Sequence, residues 1–144
     1  SQADQEGSAE QRWEIQKTAV QIVADNWLLG VGPGAYKAAN ALYAPEIGFK
    51  DTHNTYLNVA AETGLSGLLL WIALVMSVLI RAVRSSRNES AADDPGQSIQ
   101  FAWITRGLVA FLVAGLFGSY ASITMPYIIL ALLWCCADLS APKL

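Results

Sequence analysis

His53 is the single histidine of this 144-residue chain, set in Asp51-Thr52-His53-Asn54-Thr55-Tyr56-Leu57. An imidazole that is neutral near pH 7 is the usual general base for a hydroxyl proton. The same side chain, beside Asp51, Asn54 and Tyr56 and ahead of a long uncharged run, also fits as a helix cap or a membrane-interface residue. Chemistry alone leaves both open. Glu62 stands at the mouth of that run, ahead of Leu68. A carboxylate there is either an interface marker or an inward-facing functional group. Upstream, Leu28-Leu29-Gly30-Val31-Gly32-Pro33-Gly34 puts three glycines at alternate positions. Such spacing lets backbone N–H groups approach an anion closely, and it equally makes a tight structural turn.

Other chemistries find no support. Cys135 and Cys136 are adjacent, which precludes an unstrained disulfide within a helix, and no further Cys or His supplies zinc-ligand spacing. They read as packing or lipid-facing residues. The chain contains no Walker loop, no Gly-x-Ser-x-Gly and no His-Glu-x-x-His. A net charge of −3 and a pI near 5.0 leave no basic stripe to replace phosphate counterions, so nucleic acid is excluded as a partner.

The elements that must carry these residues divide by charge. Residues 1–62 hold Arg12, Lys17, Lys37 and Lys50 against Asp4, Glu6, Glu10, Glu14, Asp25, Glu46, Asp51 and Glu62, four against eight, a water-facing segment. Within it, Ser8-Ala9-Glu10-Gln11 has the form of a capping box, which predicts a helix from Arg12 to near Asn26. Trp13, Val20 and Trp27, with Val23 between, give that helix an apolar face for the bundle or the outer membrane interface. A short helix is expected over 35–44, before Pro45 and Gly48.

Charged residues make up only 15% of the chain, against about 25% in soluble domains. Residues 63–80 are 18 in a row without charge, about 27 Å of helix, and Arg81, Arg84 and Arg87 follow. The arginines mark the cytoplasmic side. Residues 107–137 are 31 more, roughly 46 Å, too long for one span and interrupted around Gly118 to Pro126. The expectation is an all-α membrane protein. Its outer segment is 1–62, followed by a span at 63–82, an inner loop at 83–100, a span at 101–118, an outer turn at 119–123, a span at 124–138 and an inner tail at 139–144. Trp103 and Trp134 then fall near the cytoplasmic interface, and Arg106 snorkels to the headgroups. Three spans are few for so large an outer segment, and the chain opens at Ser1 with no signal segment. We therefore expect the C-terminal portion of something longer.

In order along the chain come an arginine-led helix, Leu-Leu-Gly-Val-Gly-Pro-Gly, His53-Asn54-Thr55-Tyr56-Leu57, and Glu62-Thr63-Gly64-Leu65-Ser66-Gly67 running into a membrane helix. This series resembles the O-antigen ligase family, which includes lipid A-core:surface polymer ligases and O-antigen and exopolysaccharide polymerases. The likeness covers residues 8–80 by motif and 81–138 by hydropathy. Two positions depart from the family pattern: Gln16, where Trp is frequent, and Asn26-Trp27, where a His-Pro pair is frequent.

The resemblance implies a multi-pass enzyme of the bacterial inner membrane, part of a GT-C type bundle, with residues 1–62 on the periplasmic side. Such an enzyme moves a glycan from undecaprenyl diphosphate to an acceptor hydroxyl of lipid A-core or a similar glycolipid or glycan, with inversion and without cofactor or metal. It makes His53 the catalytic base. It gives substrate contacts to Arg12, Gly32, Gly34, Asn54, Tyr56 and Glu62, with Arg12 matching the family's phosphate-binding arginine. The residues alone leave Arg12 open as a solvated partner of Glu10 or Glu14, and Glu62 as a residue that caps or orients a helix. A polymerase of the same family is the alternative, as is a membrane protein whose outer segment binds a partner without chemistry. A carrier lipid needs a larger bundle than three spans, so purified 1–144 is expected to transfer no glycan. Turnover by that chain would refute the expectation.

Overall fold

The computed structural model describes residues 2–88, 95–120 and 124–139, and all regular structure among them is helical. The elements are α1 (Gln2–Asp25), α2 (Tyr36–Tyr43), α3 (Thr55–Asn88), α4 (Pro95–Ala114) and α5 (Thr124–Leu139). They form two compact units. The first contains residues 1–70 and 115–122, the second residues 71–114 and 123–144.

In the first unit α1 runs unbroken through Ser8–Gln11, so no helix begins at the expected capping box. It ends at Asp25, where expected, and α2 occupies the interior of the predicted 35–44 segment. The buried face of α1 is not the tryptophan stripe. Ile15, Ala19 and Ile22 are buried, whereas Trp13, Val20 and Trp27 are all more than half exposed. At 100° per residue Ile15 stands about 200° from Trp13, so α1 is apolar on two opposite sides. The side with the smaller residues packs: Ala19 and Ile22 join Tyr36 and Ala39 of α2 and Ala61 of α3, flanked by Val23, Val31 and Leu57. Tyr36, wholly buried, places its hydroxyl 3.2 Å from Asn40 Oδ1 and 3.5 Å from the Ile15 carbonyl. Buried Asn40 in turn donates through Nδ2 to the Gly48 carbonyl at 2.7 Å, which fixes the loop after α2.

Helix α3 is broken at Gly64, whose φ of 73° and ψ of 179° belong to a region open in practice only to glycine. The break removes the ladder partners of the Ala61 and Glu62 carbonyls. The glycine-rich loop replaces them: Val31 N–H donates to Ala61 O and Gly32 N–H to Glu62 O, both at 2.9 Å. In return Leu65 N–H donates to Trp27 O at 2.7 Å and Ser66 Oγ to Leu28 O at 2.5 Å. Backbone meets backbone so closely that a Cβ on Gly30 would overlap the Glu62 carbonyl, and one on Gly64 the Leu28 carbonyl.

In the second unit Val75, Val78 and Ala82 of α3 close on Leu108 of α4 and on Leu130 and Leu133 of α5, with Trp71, Leu79, Ile104, Leu112 and Ile129 around them. Arg81 lies over the Trp134 ring at 4.1 Å and Arg106 over Trp103 at 5.0 Å. Much of the remaining apolar surface of these helices is exposed, including Leu74, Met76, Ile80, Val109 and Val113. Among the described residues one stretch, Thr55–Arg84, is long and apolar enough to cross a membrane, and the apolar part of α4, Ala102–Ala114, is shorter. Helix α3 continues past residue 82 to Asn88, and α4 already begins at Pro95. Helix α4 stops at Ala114 rather than 118, because Gly115 and Gly118 turn their carbonyls to Thr55. The expected turn at 119–123 is described only at Ser119 and Tyr120, and of the expected tail only Leu139 is described. Cys135 is an exposed free thiol.

The Gly64 geometry has a direct consequence. Gly64→Ala should destabilise the fold by about 2 kcal/mol or more, from left-handed backbone cost plus the collision with Leu28. Gly107→Ala, with open space around its Cβ and ordinary helical backbone, should be neutral or slightly stabilising. Thermal unfolding of both in detergent, followed by tryptophan fluorescence, checks the contrast. Equal midpoints would contradict it.

Candidate functional site

The site begins with the first turn of α3, whose N–H groups lack helical partners. Asn54 caps it, its Oδ1 accepting from Tyr56 N–H at 3.0 Å and Leu57 N–H at 3.1 Å. Thr55 N–H donates to Gly115 O at 2.7 Å. The Thr55 hydroxyl donates to Gly118 O at 2.6 Å and accepts from Tyr120 N–H at 2.9 Å. Buried Thr52 closes the other side of the motif: its Oγ1 lies 2.8 Å from Asn54 O, accepts from Asn54 N–H at 3.1 Å, and shares a hydrogen bond with Ser119 Oγ at 2.8 Å.

Between these two anchored residues sits His53, exposed and at φ 50°, the one described non-glycine residue with a positive φ. A non-glycine residue in that region costs about 1–3 kcal/mol and persists only where its surroundings over-determine it. Here Thr52 and Asn54 do so. The result is an imidazole carried in solvent on a rigid, strained backbone.

Two residues before His53, Asp51 enters the wall of a cleft of about 480 Å³ that His53 itself does not line; the other lining residues are Pro33, Gly34, Lys37, Asn58, Val59, Glu62, Thr63 and Ser119. Four residues come from one face of α3, where 58, 59, 62 and 63 follow the helical repeat. Gly34 and Lys37 come from the glycine-rich loop and α2, Asp51 from the loop that leads to His53, and Ser119 from the segment after α4. Asp51 Oδ1 accepts from Thr52 N–H at 2.9 Å, and its Oδ2 pairs with Lys37 Nζ at 3.3 Å. Glu62 Oε1 accepts a long 3.4 Å bond from Tyr36 N–H, so a carboxylate faces the positive end of α2, which has no side-chain cap of its own. Burial, and after it the Asp51 carboxylate, holds the Tyr36 phenol far above its ordinary range, so it stays protonated.

The residues expected to make the site are therefore distributed unevenly. Gly34 and Glu62 share the cleft, and Gly32 is joined to Glu62 through the backbone. The Gly32 N–H is engaged by helix α3 rather than open to an anion. The Asn54 carboxamide is engaged as a helix cap, and Tyr56 is half-buried on the same turn. Arg12 is exposed on α1, in line with Ile15 and Ala19, and forms no ion pair among the described residues; Glu14 pairs instead with Lys17 at 2.8 Å.

Sequence reasoning passed over Lys37, Asp51, Asn58, Thr63 and Ser119 as site residues. The i, i+4 spacing of Asn58 and Glu62 was a usable signal for two carbonyl-bearing side chains on one helix face. Lys37 and Ser119 arrive from other segments and left none. No curated protein and no solved structure matches the chain. A family model described as O-antigen ligase matches residues 1–72, which contain every expected site residue from Arg12 to Glu62, and the chain belongs to the O-antigen ligase family.

Proposed function

We propose that this chain carries the base and part of the substrate cleft of a membrane glycosyltransferase that moves a lipid-linked glycan to an acceptor hydroxyl. Membership of the family implies glycosyl transfer of the ligase or polymerase type and a membrane setting. The finer reading is a donor on undecaprenyl diphosphate, a glycolipid or glycan acceptor, and a reaction on the periplasmic side of the inner membrane within a larger GT-C type bundle.

In that reading His53 accepts the proton of the acceptor hydroxyl as its oxygen attacks the anomeric carbon. A new C–O bond forms, the bond from the anomeric carbon to the phosphate oxygen breaks, and the carrier diphosphate leaves with the electron pair, inverting the centre. Arg12 suits the growing phosphate charge, because the guanidinium fork matches phosphate oxygens. The observation that carries the reading is the backbone of His53: a strained φ, held by the bonds of Thr52 and Asn54, that presents an imidazole to solvent two residues from Asp51 of the polar cleft. Strain of this kind collects at functional positions.

The test is His53→Ala in the full-length protein, expressed in cells lacking the native copy. We expect a fall of 10²-fold or more in transfer, the usual contribution of a general base. Long glycan lost from surface lipid and accumulated on the carrier identifies a ligase. A ladder reduced to single repeat units identifies a polymerase. An unchanged ladder at equal expression would show that His53 is not the base.

A further inference from the structure

Asn58 is nine-tenths buried and lines the cleft, yet its carboxamide makes no hydrogen bond among the described residues. The carboxamide opens onto the cleft, so its donor and acceptor atoms are available to a ligand there. Its neighbours have capacity to spare. Each carboxylate offers about four lone-pair positions. Asp51 uses its two oxygens on Thr52 N–H and Lys37, and Glu62 uses one on Tyr36 N–H. Thr63 Oγ1 donates to the Val59 carbonyl at 2.7 Å and keeps its lone pairs. Ser119 adds a second hydroxyl, and Pro33 and Val59 supply apolar wall.

Charge decides what such a cleft can hold. Two carboxylates against one lysine leave it at −1, and the lysine is already paired. A diphosphate would meet repulsion there and no free cation. A neutral polyhydroxylated ring fits: its O–H groups donate to Asp51 and Glu62, while the Asn58 amide donates to and accepts from neighbouring ring oxygens. The volume, about 480 Å³, lies within the range of small-molecule sites. We infer that the Asp51–Asn58–Glu62 cleft is a saccharide subsite that grips sugar hydroxyls, and that the diphosphate of the donor binds elsewhere. The inference rests on the glycosyl-transfer reading above, gives Asp51 and Asn58 a role that reading leaves unassigned, and specifies what Glu62 would contact.

The experiment uses the full-length protein in nanodiscs and two soluble probes. One is a neutral repeat-unit oligosaccharide released from the host's surface polysaccharide, and the other is inorganic pyrophosphate. Binding is followed by titration calorimetry and by the ligand-induced rise in melting temperature. Asn58→Ala should weaken the oligosaccharide at least tenfold, as loss of a buried hydrogen-bonding group does. Asp51→Asn, an isosteric change at a partly exposed position, should do the same with little change in the ligand-free melting temperature. It keeps the inference testable should Asn58→Ala fold poorly. Pyrophosphate binding should be equal in all, and His53→Ala should still bind the oligosaccharide.

Wild-type oligosaccharide affinity in both cleft variants would overturn the subsite, even where His53→Ala abolishes transfer. Loss of pyrophosphate binding instead of saccharide binding would overturn it too. Weakened saccharide binding in the cleft variants, together with full transfer by His53→Ala, would leave the subsite standing and remove the catalytic assignment.

Discussion

At Gly64 a helix of apolar residues gives up two rungs of its hydrogen-bond ladder, and everything near the site follows from how those rungs are replaced. An unpaired carbonyl in a low-dielectric setting is expensive, so a break at the mouth of an apolar helix survives only if other donors arrive. The donors are Val31 and Gly32, and the reciprocal acceptors are Trp27 and Leu28. For those four residues to reach α3, the chain must approach without side chains in the way. That is why Gly30 lies against the backbone of Glu62 and Thr63, and Gly64 against that of Leu28 and Leu29, where a Cβ has no room. The lock fixes the glycine-rich loop against α3. Through the loop it fixes the start of α2, and through Tyr36 it fixes the N-terminus that Glu62 faces.

That arrangement separates two jobs that a glycine-rich loop near an arginine suggests should coincide. The loop's N–H groups at 31 and 32 satisfy a helix, so they are not a phosphate cradle. The polar chemistry lies instead on the next face of α3 and on the turn that precedes it. There Thr52, Asn54 and Thr55 tie their polar groups to one another and to Gly115, Gly118, Ser119 and Tyr120. His53 is the residue left over from this network, and its unfavourable φ is sustained by the bonds on either side. A side chain need not be buried to be positioned; at His53 the backbone does the positioning.

Much of this was legible before the fold was known, because it rests on local rules. The end of α1 near Asn26 and the α2 segment followed from punctuating Gly and Pro and from short spacing. Two local rules misled. The Ser8–Gln11 box has the letters of a cap, but α1 passes through it. The Trp13–Val20–Trp27 repeat is periodic but exposed, because α1 has a second stripe, Ile15–Ala19–Ile22, whose smaller side chains allow α2 and α3 to come close. The early end of α4 was not legible at all. It depends on carbonyls at Gly115 and Gly118 meeting Thr55, sixty residues away, and no window along the chain registers such a pairing.

The same distinction explains why the cleft was half-seen. Glu62 announced itself by standing alone beside an uncharged run, where a carboxylate is costly without a task. Asn58 did not, since an asparagine one turn earlier in a mixed-polarity helix end is unremarkable in sequence. Its significance appears only when the fold sets its carboxamide in a cleft wall among groups that retain acceptor capacity. On the proposed reading, a charged carrier and an uncharged glycan would both have to be held, which is a reason to keep their sites electrostatically apart. A cleft of net charge −1 disfavours an anion and suits a neutral polyhydroxylated ligand, so under the proposed reading charge alone would assign the two parts of the donor to different places.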